Sequence, residues 1–204
     1  MIELLKGYWL RFWREPRAAI RDAMNETTPS LTIVLVSLFG ITYFIEQASN
    51  RNMGDTTSVG AILILALILG PILGAIGWFL LSLCTYGMAR LLGGQATFQE
   101  TRIATTWATI PYTSKWVLLL PELLIFREEL FTSQTPIMDQ SMFLLLLFFI
   151  LGLLNIAMTV IYFVIFSKIV GEVHEFSAWR GFSSIVLIPV ALVVLMIVIA
   201  LVIS

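Results

Sequence analysis

The chain has 204 residues, of which 59% are hydrophobic and 12% charged, and its formal net charge is −1. Soluble domains carry about twice that charged share, so with a mean hydropathy of +0.95 the apolar surplus needs a solvent other than water. The near-neutral balance argues against a nucleic-acid partner. The one cysteine, Cys84, excludes an intramolecular disulfide, argues against a cysteine-based metal site, and is expected to be inert helix packing.

Residues 1–28 form the first segment. Ile2, Leu5, Trp9, Phe12, Trp13, Ile20 and Met24 fall near one helical face, and Lys6, Arg11, Arg14, Arg17 and Arg21 crowd the rest. Pro16 suits the first turn of a second helix, so two short helices are expected. A basic amphipathic helix with aromatic residues fits the plane of an anionic membrane surface; packing on the protein's own membrane domain is the alternative. No cleavable signal peptide is evident. The first long apolar run begins near Ser30, after this charged segment, and lacks an A-x-A site, so it is expected to stay as an anchor.

Residues 29–204 read as one membrane domain of five apolar blocks. The first, about 30–47, suffices for one crossing. The second, Val59 to Leu92, would measure roughly 51 Å as one helix, against a hydrocarbon core of about 30 Å. Gly70-Pro71 sits near its middle and predicts a kink or break, with a short interfacial or re-entrant piece leading into a span from 71 to 92. The third block, about 101–126, holds Pro111 and Pro121 and is the most polar. The fourth covers about 141–167 and the fifth about 181–204. Between the third and fourth lies an acidic stretch, Arg127 to Gln140, expected to be a solvated loop, with a docking surface as the other possibility.

Basic residues set the orientation. With the N-terminus inside, Lys6, Arg11, Arg14, Arg17, Arg21, Arg90, Arg102, Lys168 and Arg180 are cytoplasmic. Arg51 and Arg127 are outside, and Lys115 lies within a span. The asymmetry predicts an all-α polytopic transmembrane helical bundle of five spans, N-terminus in and C-terminus out, preceded by an interfacial amphipathic helix.

Three features stand out along the spans. Gly70, Gly74 and Gly77 share a helical face and predict a close helix contact, because small residues let backbones approach in lipid. The third block carries a polar seam, with Thr101, Thr105, Ala108, Tyr112, Lys115, Leu119 and Glu122 at alternating four- and three-residue steps. The fourth offers Gly152, Asn155 and Thr159 on a similar seam. A lysine at membrane depth costs about 2.5–3.5 kcal/mol on insertion scales, so Lys115 should snorkel or pair, with Glu122 or Glu46 as the candidate partner. The seam is either a structural hydrogen-bond network or a substrate path. Catalysis has little support: the one histidine, His174, cannot build a His-rich zinc site, and nucleophile-elbow, H-E-x-x-H and phosphate-loop motifs are absent. No catalytic residue, cofactor or metal is expected.

The loops resemble a known family. Leu91-Leu92-Gly93-Gly94-Gln95-Ala96-Thr97-Phe98, continuing through Trp107-Ala108-Thr109-Ile110-Pro111, is similar to the Yip family of Ypt/Rab-interacting membrane proteins. So are Glu172-Val173-His174-Glu175-Phe176-Ser177 and Ala178-Trp179-Arg180-Gly181, followed by a last span with Pro189. Glu15-Pro16 ahead of Pro29 is similar to bacterial members. Gly93-Gly94 can end the second span with positive φ, and Thr97 with Glu100 can cap the next helix. The resemblance implies a five-span bundle with the N-terminus inside and no active site. It also points to Gly93, Gly94, Phe98, Glu172, His174, Phe176 and Arg180 as an inner-loop interaction surface. Eukaryotic members are adaptors for small GTPases, and bacterial relatives assist membrane transport systems, including ABC-type exporters. The short N-terminus argues against GTPase binding and for a bacterial plasma membrane. The expected function is a non-enzymatic adaptor or assembly factor, embedded in the lipid bilayer and bound to a membrane-protein partner. A transport or lipid-moving protein, with its path along the seam of the third and fourth spans, is the rival.

Overall fold

The computed structural model describes residues 2–203. The expected place of Ser204 beyond the membrane, and the side chains of Ile2 and Pro189, lie outside the described residues. Every regular element described is helical: α1 (Ile2–Arg14), α2 (Pro16–Glu26), α3 (Pro29–Asn50), α4 (Val59–Leu91), α5 (Phe98–Thr113), α6 (Trp116–Phe126), α7 (Pro136–Asp139), α8 (Met142–Val173) and α9 (Ala178–Ile203). Short 3-10 turns lie at Met53–Asp55 and Arg127–Phe131. α3, α4 and α8 are long and apolar enough to cross a membrane. The other two expected crossings fall on α5 with α6 and on α9. The chain divides into two compact units, one of Met1–Thr27, Trp78–Ala108 and Phe163–Ser204, the other of Thr28–Gly77 and Thr109–Tyr162.

In the second of these units α3 starts at Thr28, whose hydroxyl accepts from the Leu31 amide (3.3 Å), with Pro29 in the first turn. That is the helix-start chemistry of a capping side chain ahead of a proline that needs no donor. α3 then meets α4 at three glycines. A Cβ on Gly40 would lie 2.7 Å from the Gly74 Cα and 2.8 Å from the Gly70 carbonyl carbon, so only hydrogen fits. Gly70 and Gly74 thus make the expected close contact, Gly40 supplies its other side, and Gly77 has open space around it. Ile45, Ile62, Ala66, Leu119, Phe126 and Phe131 pack together as the core of this unit.

Three expectations need correction here. First, the break expected at Gly70-Pro71 does not occur, since α4 continues as a helix through it: proline forfeits one amide donor, which a long apolar helix packed on a neighbour tolerates. No separate piece precedes residue 71. Second, the third block is two helices, not one. The break falls at Ser114-Lys115, while Pro111 and Pro121 both lie inside helices. The Lys115 amide bonds to the Tyr112 carbonyl (3.1 Å) and the Val117 amide to the Ser114 carbonyl (3.1 Å), three residues back in each case. Tightening of this kind ends an α-helix. Third, residues 127–140 are only in part a solvated loop: much of the segment is exposed, but parts of it pack on the protein. Leu130, Phe131 and Met138 are buried, and the Glu129 carboxylate accepts from the amides of Ile137 (2.6 Å) and Met138 (2.8 Å) at the start of α7. Ser49 ties the segment to α3 by donating to the Leu130 carbonyl (2.7 Å).

In the first unit α1 and α2 form the expected helix pair around Pro16, closed by an Arg11–Asp22 ion pair of 2.7 Å. Their inner face is Tyr8, Phe12, Ala19, Ile20 and Ala23, all buried. The Phe12 ring stacks on Trp107 (centroids 5.0 Å, interplanar 15°), and the Trp107 indole donates to Thr27 (2.8 Å). Trp9, Trp13 and Met24, expected on the same face, are only half-buried. Arg17 and Arg21 reach Glu172 at 3.6 and 3.1 Å. Part of the basic face is therefore held by the protein itself. α9 approaches α8 at Gly181, where a Cβ would strike the Ser167 carbonyl oxygen and would lie 3.0 Å from the Gly171 nitrogen.

Candidate functional site

The polar residues of the expected seam separate into two places. In the unit holding α3, the break between α5 and α6 falls within the seam. Lys115 sits at the turn, only 4% exposed, and its ammonium reaches Glu46 Oε1 at 2.5 Å. It also lies 4.6 Å from the Tyr112 ring centroid, over the negative face of the ring. The Tyr112 hydroxyl donates to the other Glu46 oxygen. Glu46 was one of two candidate partners for the lysine; the other, Glu122, instead accepts from Asn155 Nδ2 at 2.7 Å. Thr159 serves its own helix, donating to the Asn155 carbonyl (2.9 Å).

These groups border a cavity of about 260 Å³ that also touches Thr42, Ser49, Asn50, Leu119, Leu130, Phe148, Gly152 and Ile156. Thr42 is fixed between Trp116, whose indole donates to it (2.9 Å), and its own helix, where it donates to Leu38 (2.7 Å). The cavity wall thus holds two carboxylates and one ammonium. Sequence reasoning missed the contribution of Thr42, which carries no charge and no unusual spacing. Gly152, read from the sequence on one seam with Asn155 and Thr159, also borders the cavity.

Thr105 does not belong to this group. It lies in the other unit, hydrogen-bonded to Ser82 (2.7 Å). There the two loop motifs meet at His174. Gly93 has φ +88°, which glycine adopts without strain, and ends α4 as its position predicts. The next helix starts with a reciprocal capping box: the Glu100 carboxylate accepts from the Thr97 amide (2.7 Å) and hydroxyl (2.8 Å), and Thr97 accepts from the Glu100 amide (3.3 Å). Those bonds, the backbone amide foremost, hold the Glu100 carboxyl below its ordinary range.

His174 is fully buried. Thr101 spends its proton on the Thr97 carbonyl (2.9 Å), so at 3.0 Å its oxygen accepts from His174 Nε2–H. Nδ1 is then the bare nitrogen; it has no hydrogen-bond partner and lies against Gly94, where a Cβ would collide with it. Burial first, and then Arg90, push the imidazole down to about 4, so the ring is neutral at physiological pH. The Gln95 amide closes the junction by donating to the His174 carbonyl (3.2 Å). Phe176 stacks on the imidazole at 5.5 Å. Phe98 joins a different cluster, with Phe79, Tyr86 and the Arg102 guanidinium. Glu172 is engaged by the arginines of α2, and Arg180 is exposed. Gly93, Gly94, His174 and Phe176 are brought together, while Phe98, Glu172 and Arg180 have separate surroundings.

Among the described residues no group of three or more His, Cys, Asp or Glu is placed to hold a metal ion. Neither the curated proteins nor the solved structures contain a significant match to the sequence. The sequence matches the Yip1 domain over residues 10–201, and the chain therefore belongs to the Yip1 family of membrane proteins.

Proposed function

We propose that this protein is a five-span membrane protein with a cytoplasmic N-terminus, acting without catalysis as an adaptor or assembly factor for another membrane complex, such as an ABC-type exporter of a bacterial plasma membrane. The observation that carries the reading is the junction of the two loop motifs. His174, Thr101 and the Gln95 amide fix the loops to each other, and the helix ends that flank them present large apolar side chains to the outside, Leu91 at 82% and Trp179 at 78% exposure. A rigid loop pair with exposed apolar residues suits recognition better than chemistry. Cross-linking in native membranes followed by purification tests it. A stoichiometric partner should be retained by the wild type and lost from a Leu91→Ser/Trp179→Ser double variant. Absence of such a partner, or its unchanged retention by the variant, overturns the adaptor reading.

The orientation has its own test. Gln95 is exposed, whereas Gly93 at φ +88° would be strained by any side chain. Gln95→Cys in a Cys84→Ala background should react with impermeant thiol reagents only after the cytoplasmic side is opened; labelling in intact cells refutes the topology. The cavity beside Glu46, Lys115 and Glu122 favours a second reading, a transport or lipid-moving protein. Ion flux or lipid scrambling by the purified protein alone in liposomes would support it.

A further inference from the structure

We propose that the cavity between α3, α6 and α8 binds the primary ammonium headgroup of an ethanolamine phospholipid, with Glu122 as its counter-charge and the exposed face of α8 as the track for the apolar part. The proposal holds whichever functional reading is right, because it concerns only what fills this cavity.

The charges motivate it. Glu46 and Lys115 neutralise each other, and Tyr112 occupies the remaining Glu46 oxygen. Glu122 is the cavity's carboxyl left without an ion pair among the described residues. It is 7% exposed and lines the cavity. One of its oxygens accepts from Asn155; the other has no donor among the described residues. A carboxylate removed from water without a counter-charge is costly; it takes up a proton, or a cation that enters the same space holds it ionised. Asn155 uses its amide nitrogen on Glu122, so its amide oxygen remains as a second acceptor from the same cavity lining. Two acceptors in one cavity suit a group with several N–H donors. A divalent metal would want six to eight oxygen ligands, and Lys115 stands among the few present.

The shape of the opening selects the source of that ammonium. Phe148, Gly152, Asn155 and Ile156 share one face of α8 at three- and four-residue spacing. Phe148 and Ile156 are 44% and 62% exposed, so the polar interior is bordered by apolar side chains that still lack a covering. Gly152 keeps the entrance wide: a Cβ there would meet nothing within 4 Å. At about 260 Å³ the space is smaller than the roughly 300–1,000 Å³ of drug-sized sites. It fits a headgroup whose chains remain outside. A freely soluble amine would gain nothing from the apolar border.

The test is native mass spectrometry of the delipidated full-length protein titrated with phosphatidylethanolamine, phosphatidylcholine, phosphatidylglycerol and soluble phosphoethanolamine. The expected result is at least tenfold tighter binding of phosphatidylethanolamine than of the other two lipids, since choline has no N–H and glycerol no positive charge. Glu122→Gln, which keeps an acceptor for Asn155, should reduce that preference at least tenfold. Gly152→Leu should do the same by filling the entrance with the charges intact, and it decides the matter if the glutamine variant does not fold. Equal binding of the three lipids, or unchanged phosphatidylethanolamine binding in Gly152→Leu, overturns the proposal. Soluble phosphoethanolamine bound as tightly as the lipid would make the occupant a small amine and overturn the lipid assignment. Loss of the partner complex in the adaptor test leaves each of these outcomes unchanged.

Discussion

His174 should make the protein acid-sensitive in a defined window. Its imidazole is buried and neutral, with a pKa pushed down to about 4, whereas in an unfolded chain the ordinary value is about 6.5. Above 6.5 both states carry a neutral ring and the residue contributes no pH dependence. Between 6.5 and 4 the unfolded ring binds a proton that the folded ring refuses, so stability falls as pH falls; below 4 both are protonated and the loss levels off. The linkage amounts to about 2 kcal/mol between pH 7 and pH 5 and about 3 kcal/mol in total. The structural reason is that protonating Nδ1 would place an N–H against Gly94 with no acceptor. Glu100 acts in the same direction but lower: its carboxyl lies below the ordinary carboxylate range, so its share is lost only as pH falls through that depressed value. Melting of the detergent-purified protein should therefore drop by several degrees from pH 7 to pH 5. His174→Gln, less stable at pH 7, should lose most of that slope. Parallel losses in wild type and variant would refute the reasoning.

Two further substitutions read the packing directly. Gly40→Ala forces a methyl into the backbone of α4 and should cost about 1–3 kcal/mol, whereas Gly77→Ala meets open space and should stay within about 1 kcal/mol of wild type; thermal melts check the order, and equal effects would contradict the glycine contact. Glu129→Ala strands the amides of Ile137 and Met138, at about 1–3 kcal/mol. It should open residues 127–140 to protease, and an unchanged digestion pattern would show that the carboxylate does not hold this segment.

The sequence made the helical class legible because the apolar blocks are long and nearly uncharged. It also marked the helix ends where capping is local. Thr97 with Glu100, Pro16, and the positive φ of Gly93 each depend on residues within a few positions. What it misplaced depends on partners distant in sequence. Proline chemistry suggested that Gly70-Pro71 would interrupt a helix, yet α4 continues there, packed through glycines against Gly40. The interruption lies at Ser114-Lys115, where no proline sits. Residues 127–140 read as solvated because they are polar, but Glu129 spends its charge on two backbone amides instead of water. At His174 the residue type was visible and the role was not: only its distance to Thr101 and Gly94, more than seventy residues away, shows a ring used to join two loops.

The seam, in turn, divides by whether its charges are already compensated. Glu46, Lys115 and Tyr112 form a closed set in which each charge has its opposite and each acceptor a donor. Such a set stabilises a helix break in a buried place and requires no ligand. Replacing it by apolar residues of similar volume could be close to neutral, while removing one member alone would cost several kcal/mol. Glu122 is different. A structural role needs an acceptor for Asn155, which glutamine supplies at no electrostatic cost, so an ionisable carboxyl at this position is what packing leaves unexplained. A charge held in a cavity within an apolar surrounding is costly unless something it meets there compensates. The function of the seam, if it has one beyond holding α6 and α8 together, is therefore to be sought at Glu122 and not at the more conspicuous lysine.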